Sequence, residues 1–245
     1  MHPIRVGIGG WSYEPWRETF YPKDISAKKE LAYASSKVTA IEINSTFYRN
    51  QSPAVFKRWA SETPDDFVFT AKAPRFTTAK KTPDEIKEAI LWFVDGGVRE
   101  MCKKLGAINW QFQAGRKFDP DYFKTFLGAL PQERGGEQLR HAIEVRHASF
   151  NDEAFYDLLR ANNCALISAD DPDWPMPDVA TADFAYTRLQ QADPECETGY
   201  PLKDLDSWAK TLKGWAKTRD VFVFFIAGAK ERNPAAAQAL IARLK

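Results

Sequence analysis

Eight short apolar runs recur along this chain, and all but one are followed by a segment of helical period. That alternation restricts the fold more than any other feature. The runs span residues 4–11, 40–44, 67–72, 107–111, 142–147, 165–170, 184–189 and 221–226. The spacing of apolar residues predicts helices over 27–37, 53–62, 121–130, 152–162, 203–218 and 234–244. A further helix opens at the capping box Thr82-Pro83-Asp84-Glu85 and runs to about 105, broken or bent at Gly96-Gly97. Ser52 before Pro53 and Asn233 before Pro234 read as N-caps. After the sixth run, residues 171–177 carry three prolines and are too proline-rich for a helix. Eight strands alternating with helices in 245 residues predict an α/β fold, a TIM-like (β/α)8 barrel whose helix after strand 6 is missing or irregular. No linker divides the chain, so residues 1–245 read as one domain. The competing doubly wound sheet wants a Gly-rich fingerprint after its first strand, and Gly7-Ile8-Gly9-Gly10-Trp11 has the glycines without the G-x-G-x-x-G spacing.

Polar residues enter these runs at alternate positions near their ends. Side chains alternate across a strand, so position parity sorts each run into two faces. Glu42 and Asn44 share one face, as do Thr70 and Lys72, Asn109 and Gln111, Glu144 and Arg146, Ser168 and Asp170, and Tyr186 and Arg188. If the apolar face packs on the helices, the polar face lines the barrel near its C-terminal mouth, where barrel enzymes hold their active sites. The expected lining is three acids (Glu42, Glu144, Asp170) against three bases (Lys72, Arg146, Arg188), with His147 at the rim. Phe222, Phe224 and Ile226 leave one side apolar. A self-contained ion-pair network is the competing explanation, since buried charges persist when paired.

Composition narrows the function classes. Hydrophobic content is 44% and charged content 27%, as in water-soluble domains. The net charge of +1 supplies no global field for nucleic acid or an anionic membrane. Three scattered cysteines give neither a disulfide framework nor a zinc pattern and fit a reducing cytosol, so a cytoplasmic location is expected. The chain moves from its first residues straight into a strand, with no leader expected, and no apolar stretch approaches the roughly 18 residues of a membrane span.

Six motifs carry a family resemblance: Gly9-Gly10-Trp11-Ser12-Tyr13, Glu42-Ile43-Asn44-Ser45-Thr46-Phe47-Tyr48, Lys72-Ala73-Pro74, Glu144-Val145-Arg146-His147, Ala169-Asp170 and Tyr186-Thr187-Arg188-Leu189. In these the chain resembles domain-of-unknown-function family 72, the YecE-like proteins. The resemblance covers nearly the whole chain and implies a TIM-like barrel without a settled reaction. The chain departs from the family's pattern after strand 4, where it reads Phe112-Gln113-Ala114-Gly115. It departs again at Gln190-Gln191 after strand 7 and at Ile226-Ala227 after strand 8.

The residues themselves suggest acid–base chemistry of hydrolase or isomerase/lyase type on a small polar or phosphorylated, anionic ligand. Glu42, Glu144, His147 and Asp170 are the catalytic candidates, since burial and neighbouring cations push carboxylate pKa values apart. Lys72, Arg146 and Arg188 would clamp the anion. Asn44, Tyr48 and Gln111 would orient the ligand, and Trp11 and Tyr13 would wall it. The segment 228–234 could present a helix N-terminus to the mouth. Aromatics Trp16, Phe47 and Trp174 fall in loops, while Trp59, Trp92, Trp208 and Trp215 read as core. Three histidines are too few for a zinc site of the usual kind, so no cofactor is expected, with carboxylate-bound Mg²⁺ or Mn²⁺ left open. A non-turnover module binding nucleic acid or protein through Lys80-Lys81, Arg116-Lys117 and residues 230–232 is the alternative, disfavoured for nucleic acid by the charge balance.

Overall fold

A computed structural model describes residues 1–171, 173 and 177–245. Eight parallel strands close into a barrel: β1 (Ile4–Gly9), β2 (Ala40–Ile43), β3 (Val68–Lys72), β4 (Leu105–Gln111), β5 (His141–Glu144), β6 (Cys164–Ala169), β7 (Phe184–Leu189) and β8 (Asp220–Phe225). Each strand pairs with its neighbours in sequence, and β8 returns to β1. Outside lie α1 (Trp16–Thr19), α2 (Glu30–Ser35), α3 (Pro53–Ser61), α4 (Pro83–Asp95), α5 (Pro120–Gly128), α6 (Glu153–Ala161), α7 (Leu202–Trp215) and α8 (Asn233–Leu244). No helix lies among the described residues between β6 and β7. Pro172, Trp174, Pro175 and Met176, on which part of that expectation rested, fall outside the described residues. No helix among the described residues is long and apolar enough to cross a membrane.

The register determines which side chains face inward. Residues paired across parallel strands share a face, and the pairs Gly7–Ala40, Ala40–Val68, Thr70–Ala107, Asn109–Ala142, Ala142–Ala165, Ile167–Tyr186, Tyr186–Phe222 and Phe224–Gly7 trace one ring. Ala40, Ala107, Ala142 and Ala165 form a small-residue layer on one half of the barrel. Phe184, Tyr186, Phe222 and Phe224 fill the space from the other half. Gly7 belongs to this fit: a Cβ there would lie 2.3 Å from the Ala40 carbonyl oxygen and 2.8 Å from the Phe224 ring. The opposite parity carries the main core, where Ile41, Phe69, Ile108, Trp110, Ile143, Val223 and Phe225 pack on the helices, each stabilising by about 1.5–3 kcal/mol when fully buried.

Local signals hold in part. Thr82 and Glu85 form the reciprocal capping box expected of them. Ser52 sits extended before Pro53 but makes no side-chain cap bond. Asn233 is the first residue of α8 instead of its cap, because its amide turns back to donate to the Ala227 carbonyl. The long stretch after Thr82 divides at Gly96-Gly97 into α4 and a 3₁₀ segment, Val98–Lys104. The expected helix over 27–37 is a 3₁₀ turn running into α2. Trp92 is 51% exposed, not core: among the described residues its ring meets only that of Phe76. A two-stranded hairpin, Glu133–Arg134 with Glu137–Gln138, was not visible in the run pattern.

Candidate functional site

The inward parity of β2, β3, β4, β5 and β7 delivers Glu42, Lys72, Asn109, Gln111, Glu144, Tyr186 and Arg188 to the C-terminal half of the barrel, with Glu42 and Asn109 fully buried. Arg188 is the centre. Its Nη1 donates to Glu144 Oε1 at 2.9 Å and its Nη2 to Glu42 Oε1 at 3.1 Å, so one guanidinium fork holds two carboxylates from strands that are not neighbours, β5 and β2. Glu144 Oε1 also accepts from Arg146 Nη2 at 2.6 Å and from Gln111 Nε2 at 2.8 Å, while its Oε2 accepts from Asn109 at 3.3 Å. Tyr186 donates its hydroxyl to Glu42 Oε2 at 2.5 Å and lies 2.8 Å from Thr70 Oγ1.

This geometry sets the protonation states. Burial pushes the Glu144 carboxyl up, but Arg188, Lys72 and Arg146 outweigh it and hold the group at about 2. Arg188 is held above its ordinary value: burial disfavours the charge, but Glu144 and Glu42 stabilise it more. Burial, reinforced by Glu42, pushes the Tyr186 phenol well up, so it remains a donor. Lys72 behaves differently. Burial and the nearby Arg188 lower it to about 8, against the opposing pull of Glu144 and Glu42.

Asp170 does not join this set. Ile167 pairs with Tyr186 and Ala169 with Arg188, which puts Ile167 and Ala169 inside and Ser168 and Asp170 on the helix side. Asp170 caps the strand ends there, accepting from Gln190 N at 2.5 Å and from the Tyr200 hydroxyl at 2.9 Å. The expected three-to-three balance therefore fails. Two acids face three bases, and the barrel interior carries an excess positive charge at its mouth.

That excess borders a cavity of about 300 Å³ lined by Gly9, Asn44, Phe47, Tyr48, Lys72 and Arg188 from the first seven strands and their loops, and by Ile226, Ala227, Lys230 and Asn233 beyond β8. A neighbouring hollow of about 290 Å³ adds Trp11 and Ser12 and shares Gly9, Asn44, Tyr48 and Lys230. The turn Ser45–Phe47 after β2 lays the Phe47 ring 4.5 Å from Lys72 Nζ. Lys230, which the sequence offered only within the segment 228–234 and the basic residues 230–232, has its Nζ 4.3 Å from the Tyr13 ring, and its carbonyl accepts from the buried Trp16 indole at 2.9 Å. Burial lowers its pKa as well. Among the described residues, no carboxylate lies within 4.0 Å of either amine; Glu42 and Glu144 are taken by arginines. The signal that pointed to the segment 228–234 was its place ahead of the last helix, at the barrel's usual anion-binding corner, but it did not single out Lys230.

The remaining candidates take other positions. His147 starts the 3₁₀ turn Ala148–Phe150, its Nδ1 accepting from Ser149 N at 3.1 Å, and it does not line the cavity. Trp11 stacks edge-on to Trp59 at 4.9 Å, and Tyr48 is 78% exposed. His141 faces outward, as its parity requires. It accepts from the Trp110 indole at 3.0 Å, with its other nitrogen 2.8 Å from the Pro131 carbonyl. The basic segments of the alternative lie against the chain's own rings: Arg116 over Tyr122 at 3.6 Å and Lys80 over Phe76 at 5.9 Å. Among the described residues, no group of three or more His, Cys, Asp or Glu could hold a metal ion. A larger cavity, about 520 Å³, opens at the other end of the barrel around Arg5, Lys103, Arg140 and Asp220, away from the strand C-termini.

Comparison with known proteins follows the same outline. The family described as "Protein of unknown function DUF72" matches residues 5–245. The UPF0759 protein YecE of Escherichia coli (strain K12) is 25% identical over 150 residues, 60% of this chain and 50% of YecE, so the chain spans about half the length of the curated relatives it matches. A crystal structure of a DUF72 family protein from Thermotoga maritima MSB8 superposes with a TM-score of 0.78 at 25% identity, covering 98% of this chain and 97% of that one. A DUF72 family protein from Enterococcus faecalis V583 gives 0.76 at 17% identity over 98% and 95% of the two chains, a likeness of fold.

Proposed function

Because the chain belongs to the DUF72 family, whose description names no reaction, we propose its function from the mouth cavity: it binds a small carboxylate or phosphate and performs acid–base chemistry on it through Lys72. The observation that carries this reading is the pair of amines, Lys72 and Lys230, bordering one cavity with no carboxylate partner within 4.0 Å among the described residues. Two partly desolvated cations with no paired anion are stabilised by a bound one.

The arrangement favours isomerase/lyase chemistry over hydrolysis. Hydrolysis needs a base to activate water, and the oxygens of Glu144 are occupied by Arg188, Arg146, Gln111 and Asn109. Glu42 is fully buried behind Arg188 and Tyr186. These carboxylates act as positioning groups for Arg188. An amine titrating near 8 suits proton transfer at neutral pH, with roughly one-tenth of it neutral at pH 7.

Isothermal titration with phosphate, glycolate and uncharged ethylene glycol tests the reading. The anions bind and the glycol does not. Lys230→Met weakens binding at least tenfold, and affinity falls as pH rises through 8. Equal affinity in wild type and Lys230→Met, or anion binding abolished by Arg5→Met at the other cavity instead, overturns it.

A further inference from the structure

We propose that Lys72 forms a covalent imine with the carbonyl carbon of a small anionic aldehyde or ketone, whose charged end is held by Lys230. The inference rests on the anion-binding reading above and gives that site its substrate class.

Four features of the cavity carry it. The Lys72 backbone is fixed from both sides: Thr46 Oγ1 donates to its carbonyl at 2.7 Å, and the next residue, Ala73, donates its N–H to the Asn109 carbonyl at 2.9 Å. The side chain therefore leaves β3 in a set direction, over the Phe47 ring. Arg146 and Arg188 engage the nearby carboxylates. A lysine paired directly with a carboxylate stays an ammonium. One left beside arginines and desolvated by burial is biased toward the neutral nucleophile, and this outweighs the face of the Phe47 ring, which favours the ammonium. Room for a carbonyl comes from Gly9, where a Cβ would stand 2.8 Å from Asn44 Nδ2 and 3.4 Å from Ile226. Finally, Asn233 lines the same cavity, is 1% exposed, and has its Oδ1 without a partner among the described residues. Its backbone N–H is taken by the Lys230 carbonyl and the next residue, Pro234, has none, so the side chain is the group α8 offers to the cavity here. Its free oxygen accepts a hydroxyl, so a hydroxylated carbonyl compound fits better than a bare one.

The step balances without redox. The neutral Lys72 amine attacks the carbonyl carbon, and the C=O π pair moves to oxygen, which takes up a proton while the nitrogen loses one. The resulting carbinolamine expels its hydroxyl as water as the nitrogen lone pair closes the C=N bond. Amine and carbonyl become imine and one water. The protonated imine is then an electron sink for breaking an adjacent C–H or C–C bond.

The test is reductive trapping on the intact chain. Wild-type protein is incubated with glyoxylate, dihydroxyacetone phosphate or uncharged propionaldehyde, reduced with borohydride, digested and mapped by mass spectrometry. The expected result is a dominant adduct on Lys72 with the two anions, at least tenfold above the mean surface lysine, and no such preference with propionaldehyde. Lys230→Met lowers the Lys72 adduct while Lys72 remains present. Competition by glycolate and 2-phosphoglycolate, which lack the carbonyl, suppresses trapping. Adducts spread evenly over surface lysines, or none on Lys72, overturn the proposal. If glycolate still binds in that case, the anion site stands and only the imine is lost; if glycolate binding is also absent, both readings fail.

Discussion

Replacing Lys72 by Met should stabilise the protein while abolishing anion binding, an outcome opposite to that of most core substitutions. The reasoning is electrostatic. A lysine lowered from 10.5 to about 8 on folding carries roughly 3 kcal/mol of unfavourable free energy in its charged form. Methionine removes that charge with a side chain of similar reach that fits irregular gaps. It forfeits the contact between the amine and the Phe47 ring, worth about 0.5–2 kcal/mol. What remains inside is two acids and two arginines, Glu42 and Glu144 with Arg146 and Arg188, which balance. The net gain is about 1–3 kcal/mol at pH 7, or a rise of several degrees in Tm for a chain of this size. The pH dependence is specific. The folded pKa is lowered, so the unfolded chain binds more protons between about 8 and 10.5, and wild-type stability recovers across that window as pH rises. The advantage of Lys72→Met is thus full below pH 8 and gone above about 10.5. Urea denaturation of both proteins at pH 7 and pH 10.5 reads this directly. A destabilised Lys72→Met protein, or a gain that persists unchanged at pH 10.5, refutes the account of Lys72 as a desolvated, unpaired amine.

Arg188→Met leaves Glu42 and Glu144 without their shared cation and should destabilise by about 3–5 kcal/mol in urea titration, with Glu42→Gln in the same chain restoring part of the loss. Arg188→Lys should fail nearly as badly, because one ammonium cannot reproduce a fork that reaches both carboxylates. His141, fully buried and lowered by that burial to about 4, binds protons more readily in the unfolded chain between pH 6.5 and 4. Stability should therefore fall by roughly 3 kcal/mol as pH drops through that window, and a flat Tm from pH 6.5 to 4 would contradict it. Gly7→Ala should lose about 1–3 kcal/mol or more in thermal melts, since its Cβ meets backbone at 2.3 Å.

The barrel was legible because run and helix alternate so regularly, and most of the inner face followed from parity. The error at Asp170 shows what parity lacks. In the sixth run the polar residues, Ser168 and Asp170, occupy the outer face, on the side of the barrel where no helix follows β6 among the described residues. Sorting by polarity misplaced them. A different signal was present: the second, fourth, fifth and sixth runs each begin with an alanine, Ala40, Ala107, Ala142 and Ala165, and each faces inward. Aligning the runs on that alanine puts Glu42, Asn109, Glu144 and Ile167 on one face and excludes Asp170. The pairings inside the barrel were less accessible. Nothing in the chain's order announces that Arg188 takes both carboxylates and leaves Lys72 without one, because that depends on which strands oppose each other across the closed ring. For Lys230 the segment was legible but the side chain's place was not. Its position depends on the Trp16 indole, more than two hundred residues away in sequence, holding its carbonyl.

The most direct test of the account is the titration of the Lys72 side chain itself, followed by NMR of isotopically labelled lysine with and without glycolate. Lys72 should titrate near 8 in the free protein and shift upward when the anion binds, with Lys230 moving in the same direction. A Lys72 that titrates in the ordinary lysine range, near 10.5, and ignores glycolate would contradict the claim that this cavity is built for an anion.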